Sequence, residues 1–162
     1  MDPTLLCLAV LCFLGAGSMD TEVTQTPRQL VITTKQRATM DCVPIRQHNR
    51  VYWYRQKLGE ELKFLTYLQN KEALDKSGLP DGRFSAQCTQ NSHCSMKIQS
   101  TELKDSGMYF CASSSGVGCA LSLFLDDLTF GPGSKLTVVD NLTKVNPPKV
   151  AVFEPSEVEI SR

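Results

Sequence analysis

Neither sign of charge prevails: lysine plus arginine and aspartate plus glutamate number 17 each. That balance gives no reason to expect nucleic acid or an anionic membrane surface as the partner. Histidine is scarce. Only His48 and His93 occur, both in expected loops, and neither stands at a recognised spacing from a nucleophile. The stretch Ser113-Ser114-Ser115-Gly116 lacks a nucleophile-elbow pattern. An enzyme is therefore disfavoured, and no cofactor is implied. Cys88, His93 and Cys94 lie close together, but a fourth ligand is not evident, so no metal is expected. Repeats of domain scale and low-complexity tracts are missing too. After the leader, no run approaches the ~20 apolar residues of a membrane span, so this stretch of chain is expected to carry no anchor.

What is present begins with an address. Leu5 to Leu14 form a short apolar run followed by Gly15, Ala16, Gly17 and Ser18. Such a run is too short to span a bilayer, and its small residues suit signal-peptidase cleavage. Residues 1–18 are expected to be a signal peptide, although Asp2 leaves the amino terminus as its only positive charge. Export makes disulfides permissible. Of seven cysteines, Cys7 and Cys12 fall in the leader; Cys42, Cys88, Cys94, Cys111 and Cys119 remain. An odd count leaves at least one thiol over or paired elsewhere.

From Val23 onward, short β-type runs alternate with polar turns and no convincing amphipathic helix interrupts them. The expected strands are 29–34, 38–43, 51–56, 62–68, 84–88, 94–99, 108–113 and 136–139. Residues 70–79 and 114–127 carry poorer strand signal, and Asn146-Pro147-Pro148 marks a stop before a further short run at 149–153. Closely spaced short strands point to an all-β sandwich or barrel.

Alternation assigns faces within those strands. Ala38, Met40 and Cys42 share one face, as do Val51 and Trp53, and Tyr109 and Cys111. If these faces meet, Cys42 and Cys111 bridge two sheets with Trp53 packed against the sulfurs. The order Cys…Trp…Cys, with Tyr109 two residues before the second cysteine, is the immunoglobulin-sandwich pattern with its tyrosine corner. The expected fold is an immunoglobulin variable-type β-sandwich, a Greek key of two antiparallel sheets. On the opposite face lie Tyr54, Gln56 and Phe110, joined by Leu62, Phe64 and Phe130. In a lone domain these form an exposed apolar patch, and six such groups on one sheet suit a partner surface better than a scatter of ordinary surface aromatics.

Trp53-Tyr54-Arg55-Gln56, Asp105-Ser106-Gly107-Met108-Tyr109-Phe110-Cys111, Cys111-Ala112-Ser113-Ser114 and Phe130-Gly131-Pro132-Gly133 resemble the variable and joining segments of a T-cell receptor beta chain. Residues 140–162, with Asn146-Pro147-Pro148-Lys149-Val150-Ala151-Val152-Phe153-Glu154-Pro155-Ser156, resemble the start of the beta constant domain. The resemblance divides the chain into a signal peptide at 1–18, a variable domain with joining segment at 19–139 and the opening of a constant domain at 140–162. It also implies an ion pair between Arg83 and Asp105, closing the bottom of the sandwich.

The resemblance further implies the function: the antigen-recognition chain of an alpha–beta receptor, binding peptide presented by a major histocompatibility molecule. It places a first loop at about Ile45 to Arg50, a second at about Leu68 to Ala73 and a third from Ser113 to Leu128. Arg46, His48 and Arg50 make the first loop basic, which suits carboxylates on a histocompatibility helix; a solvated loop is the plainer reading. Leu68, Gln69, Asn70 and Lys71 represent the second loop. Ser115, Gly116, Leu121, Leu123, Phe124 and Leu125 represent the third, whose apolar run fits a ligand surface, local packing or an unselected rearrangement equally. The implied partners are a receptor alpha chain at Tyr54, Gln56, Leu62, Phe64, Phe110 and Phe130, and the signalling subunits of the full-length receptor at the plasma membrane. An immunoglobulin-like adhesion or soluble binding module shares the fold and is the alternative.

Two modifications are legible. A turn at 89–93 would set Cys88 opposite Cys94, Ala86 opposite Met96 and Phe84 opposite Ile98. Opposed residues of an antiparallel ladder lie within reach of a disulfide; two unlinked thiols at the rim are the competing reading. With that bridge, Cys119 would be the odd thiol. Asn141-Leu142-Thr143 is an N-glycosylation sequon.

Overall fold

The computed structural model describes residues 21–89, 93–115 and 128–141. Among these residues, eleven strands make two sheets. The smaller sheet is ordered β1 (Thr24–Thr26), β3 (Ala38–Val43), β8 (Cys94–Ile98) and β7 (Phe84–Cys88). The larger runs β2 (Gln29–Thr33), β11 (Ser134–Val139), β9 (Gly107–Ser114), β4 (Arg50–Gln56), β5 (Lys63–Gln69) and β6 (Glu72–Asp75), with β10 (Thr129–Phe130) pairing on β9. The chain has an immunoglobulin-type all-β sandwich.

Period-2 alternation builds the core between the sheets. Ala38, Met40 and Cys42 from β3 meet Val51 and Trp53 from β4 and Tyr109 and Cys111 from β9, all buried. Cys42 and Cys111 are bonded across the sandwich. Arg83 donates to Asp105 at 2.7 Å, and the Tyr109 hydroxyl donates to the Asp105 carbonyl at 2.6 Å.

One pairing departs from the all-antiparallel expectation. β2 runs parallel to β11, from Gln29 beside Lys135 to Thr33 beside Val139. Pro27, which follows β1 through a cis peptide bond, has no N–H to continue the first ladder. There the chain leaves one sheet for the other. Two more departures concern strands. β6 forms in the segment with poor strand signal; it is a short edge strand whose Leu74 is exposed. Phe130 sits in a short unexpected strand, β10, opposite Ala112, and β11 starts at Ser134, two residues before the expected strand.

The glycines of Phe130-Gly131-Pro132-Gly133 have separate reasons. A Cβ on Gly131 would stand 2.5 Å from the Gln25 Oε1. Gly133 has φ +87°, and its Cβ would stand 2.7 Å from Met108 Cε and 2.8 Å from Phe110 Cε1. Left-handed backbone and close approach both demand glycine there.

Candidate binding loops and pairing face

The larger sheet sets the loops in a row. Arg50 at the start of β4 stands between Gln69 at the end of β5 and Ser114 at the end of β9. The β3–β4 loop, the β5–β6 turn and the connection after β9 therefore leave the sandwich at one end. Asn70 and Lys71 make the β5–β6 turn, both left-handed at φ 49° and 80°; a two-residue hairpin whose residues both have positive φ matches the strand twist. The Asn70 N–H reaches the Asn49 carbonyl at 3.4 Å, joining that turn to the neighbouring loop.

Within this row the expected loop residues separate. Arg46, Asn70 and Lys71 are exposed. Gln69 is half-buried and accepts from the Tyr67 hydroxyl at 2.6 Å, and the Tyr67 ring stacks on Tyr52 at 4.9 Å. Ser115 is half-buried just past β9. Arg50 is a half-buried strand residue rather than part of the loop. His48 is half-buried too, with Nδ1 2.8 Å from Ser113 Oγ.

Leu68 is a correction. It is only 1% exposed and belongs to the core, so it cannot reach a ligand. The pairing of β4 with β5 passes from Tyr54–Phe64 to Trp53–Thr66, skipping Leu65. This bulge buries Leu65 and Thr66 in succession and turns Leu68 inward; without it Leu68 would face outward like Phe64. Gly116, Leu121, Leu123, Phe124, Leu125 and Cys119 lie outside the described residues, as do 1–20 and 142–162.

The outward face of β4, β5 and β10 holds an aromatic cluster. Tyr54 meets Phe64 edge-on at 5.9 Å between ring centroids and Phe130 at 5.5 Å. Phe130 is 45% exposed and Leu62 44%. Gln56 is exposed, and Phe110 is half-buried opposite Tyr54. Burial pushes the Tyr54 phenol above its usual pKa, with Tyr52 adding to the effect. The face is apolar with hydroxyl and amide groups at its edges, which suits a flat partner better than a small ligand.

Gln25 supports that face from behind, and nothing in a three-residue strand signalled it. Its side chain is buried; Nε2 donates to the Tyr109 carbonyl at 3.0 Å, while Oε1 accepts from the Cys111 and Gly133 amides, each at 3.0 Å. One amide thereby satisfies three backbone groups where β9 and the glycine motif leave the ladder. An adjacent glycine and a buried glutamine are a spatial pairing, invisible in sequence order.

At the β7 edge of the smaller sheet Cys88 and Cys94 are bonded to each other, opposed in register with Cα atoms 3.9 Å apart. Their sulfurs are thus not thiolate ligands for a metal beside His93. Asn141 is exposed just after β11. Among the described residues, no helix is long and apolar enough to cross a membrane.

Known proteins resemble this chain in sequence. The immunoglobulin V-set domain model matches residues 25–139. T cell receptor beta variable 16 of Homo sapiens is 50% identical over 114 residues, covering 70% of this chain and 99% of that protein. The T-cell receptor beta chain V region CTL-F3 of Mus musculus is 47% identical over 139 residues, covering 86% of this chain and 100% of its own length. A viral T-cell receptor beta chain-like protein of feline leukemia virus is 48% identical over 162 residues. That alignment spans 100% of this chain but 49% of the viral protein.

Proposed function

The chain belongs to the T-cell receptor beta-chain family, and we propose that it recognises peptide presented by a major histocompatibility molecule while paired with a receptor alpha chain. The observation that carries this reading is the row Gln69–Arg50–Ser114, which roots three loops at one end of the sandwich. Loops on a rigid scaffold are where binding residues concentrate. Arg46 and Lys71 are exposed cations of this end and suit carboxylates of a histocompatibility helix. The third loop, 115–128, supplies individual specificity.

The aromatic face of Tyr54, Phe64, Phe110 and Phe130, with Leu62 and Gln56, is the alpha-chain surface. The packing of Tyr54 against Phe64 and Phe130 on one outward face, with Phe130, Leu62 and Gln56 exposed beside them, supports a partner there. Residues 1–18 serve export, 19–139 form the recognising domain, and 140–162 begin the constant domain. The full-length chain sits in the plasma membrane with signalling subunits, and Asn141 carries an N-linked glycan.

Co-expression with an alpha chain tests the pairing. Gln56→Glu together with Phe64→Asp should abolish heterodimer while the variable domain keeps its Cys42–Cys111 bridge; normal heterodimer yield would refute the pairing face. Antigen recognition is tested by selecting a ligand from a peptide–histocompatibility library with the paired receptor. Exchange of residues 115–128 or Arg46→Glu should remove binding to that ligand. Undiminished binding after both changes would overturn the reading.

A further inference from the structure

Two hydrogen bonds cross from the β3–β4 loop to a single hydroxyl. The Ile45 N–H points at Ser113 Oγ from 3.4 Å, and His48 Nδ1 lies 2.8 Å from the same oxygen. Ser113 is fully buried near the end of β9, between Val51 of β4 and Thr129 of β10. It is the last residue on its strand in the inward-facing register of Tyr109 and Cys111. The loop is closed on itself by the His48 N–H, which donates to the Ile45 carbonyl at 2.9 Å. His48 thus holds its loop with the backbone and leaves the loop with its ring.

A serine hydroxyl has one hydrogen to give and two lone pairs to receive. The Ile45 amide takes one lone pair, and the hydroxyl hydrogen can go to an unprotonated Nδ1. In that arrangement the ring carries its own hydrogen on Nε2. A buried serine satisfied by local backbone alone would not need the ring. Here, though, the side-chain contact is the shorter of the two by a wide margin, and it spans 65 residues of sequence.

We propose that His48 is a positioning residue for antigen binding, tying the first loop through Ser113 to the root of the third so that both present one surface. The inference rests on reading those loops as the antigen-binding surface. It changes the role of His48 from a basic ligand contact to an internal link. Arg46, exposed in the same loop, is left to face the ligand, and Ser115 begins the third loop two residues beyond the linked hydroxyl.

The test uses the full-length beta chain paired with an alpha chain and needs no ligand. His48→Ala should speed amide hydrogen exchange at 115 and 128–130 about five- to ten-fold, the scale of one net hydrogen bond. Ser113→Ala should do at least as much at 45–49, since it removes the Ile45 bond along with the ring contact. The double variant should not exceed Ser113→Ala, which already takes away the partner of the ring. His48→Asn, whose Oδ1 falls near the position of Nδ1, should restore slow exchange, which a general loosening of the fold would not allow. The Nδ1 resonance of His48 should also move on Ser113→Ala. Unchanged exchange across the two loops, additive effects, or an Nδ1 signal indifferent to Ser113→Ala would overturn the link. Such failure leaves the antigen-binding reading standing, because that reading is judged by ligand selection and loop exchange.

Discussion

The Arg83 guanidinium meets the Asp105 carboxylate at 2.7 Å, with the Asp105 side chain wholly buried and that of Arg83 19% exposed. Burial is uneven, so the two partners depend on each other unequally. Arg83 also pairs with Asp81 at 2.8 Å and donates to the Ser100 carbonyl at 2.6 Å. Its guanidinium holds the Asp81 carboxyl below the usual carboxylate range. Asp105 additionally accepts from the Glu102 N–H at 2.8 Å.

Arg83→Ala strands a buried charge and should destabilise the domain by about 3–5 kcal/mol. Asp105→Asn keeps an acceptor for the Glu102 amide and leaves Arg83 its other partners, so the loss should be only about 1–2 kcal/mol. Urea denaturation of the two variants measures the order. An equal or reversed order would show that the pair is not governed by burial of the carboxylate.

Tyr109 predicts an alkaline limit. Burial pushes its phenol up to about 12 from 10.0, against an opposing hydrogen bond with Arg55. The folded state therefore holds the phenolic proton where the unfolded state has lost it. This stability is fully present below the unfolded value and falls as pH rises from about 10 to about 12, by roughly 2–3 kcal/mol. Denaturant midpoints across that range should decline in the native protein. Tyr109→Phe should start lower, for want of the bond to the Asp105 carbonyl, and show a flatter decline; identical slopes would assign the alkaline loss to other groups.

The period-2 pattern makes most of this architecture readable in the sequence. β3 and β7 begin and end where alternation and turns place them, and Cys88, Ala86 and Phe84 face Cys94, Met96 and Ile98 in the expected register. What escapes is either short or non-local. β1 and β10 are too brief to show a period, and β6 is a four-residue edge strand whose adjacent Ala73 and Leu74 do not alternate with polar residues. Leu68 is hidden by a bulge, since one extra residue reverses every later face of a strand. Gln25, His48 and Ser113 owe their roles to contacts across 65 or more residues, which local patterns do not encode.

Gln25 and Gly131 should behave as one unit. Gln25→Ala would deprive the Cys111 and Gly133 amides and the Tyr109 carbonyl of the side chain that satisfies them, at about 1–3 kcal/mol for each group left unsatisfied. Gly131→Ala puts a methyl 2.5 Å from Oε1 and should push the same amide away. A double-mutant cycle by thermal denaturation should then find the combined variant little worse than Gln25→Ala alone. Additive losses would mean that Gly131 is required for its backbone and not for the glutamine.

The two disulfides should be coupled through Cys94. Cys42 is bonded to Cys111, with 69 residues of separation, and Cys88 to Cys94, with 6. Cys42 and Cys94 are also direct neighbours across β3 and β8, and both are buried. Chain entropy alone assigns about 4 kcal/mol to the long bridge and about 2 kcal/mol to the short one. Replacing both short-bridge cysteines, Cys88→Ala with Cys94→Ala, should therefore cost only the smaller amount. Cys88→Ala by itself should be worse, because it leaves a thiol on Cys94 beside the Cys42 sulfur. Deprotonated, that thiol attacks Cys42, a Cys42–Cys94 bond forms, and Cys111 departs as the new thiolate. The exchange needs no outside oxidant, and it trades the long bridge for one between adjacent strands. Non-reducing peptide mapping after refolding should recover a Cys42–Cys94 peptide from Cys88→Ala and none from the paired variant. If Cys88→Ala retains only Cys42–Cys111 and matches the paired variant in stability, the neighbouring cysteines do not exchange.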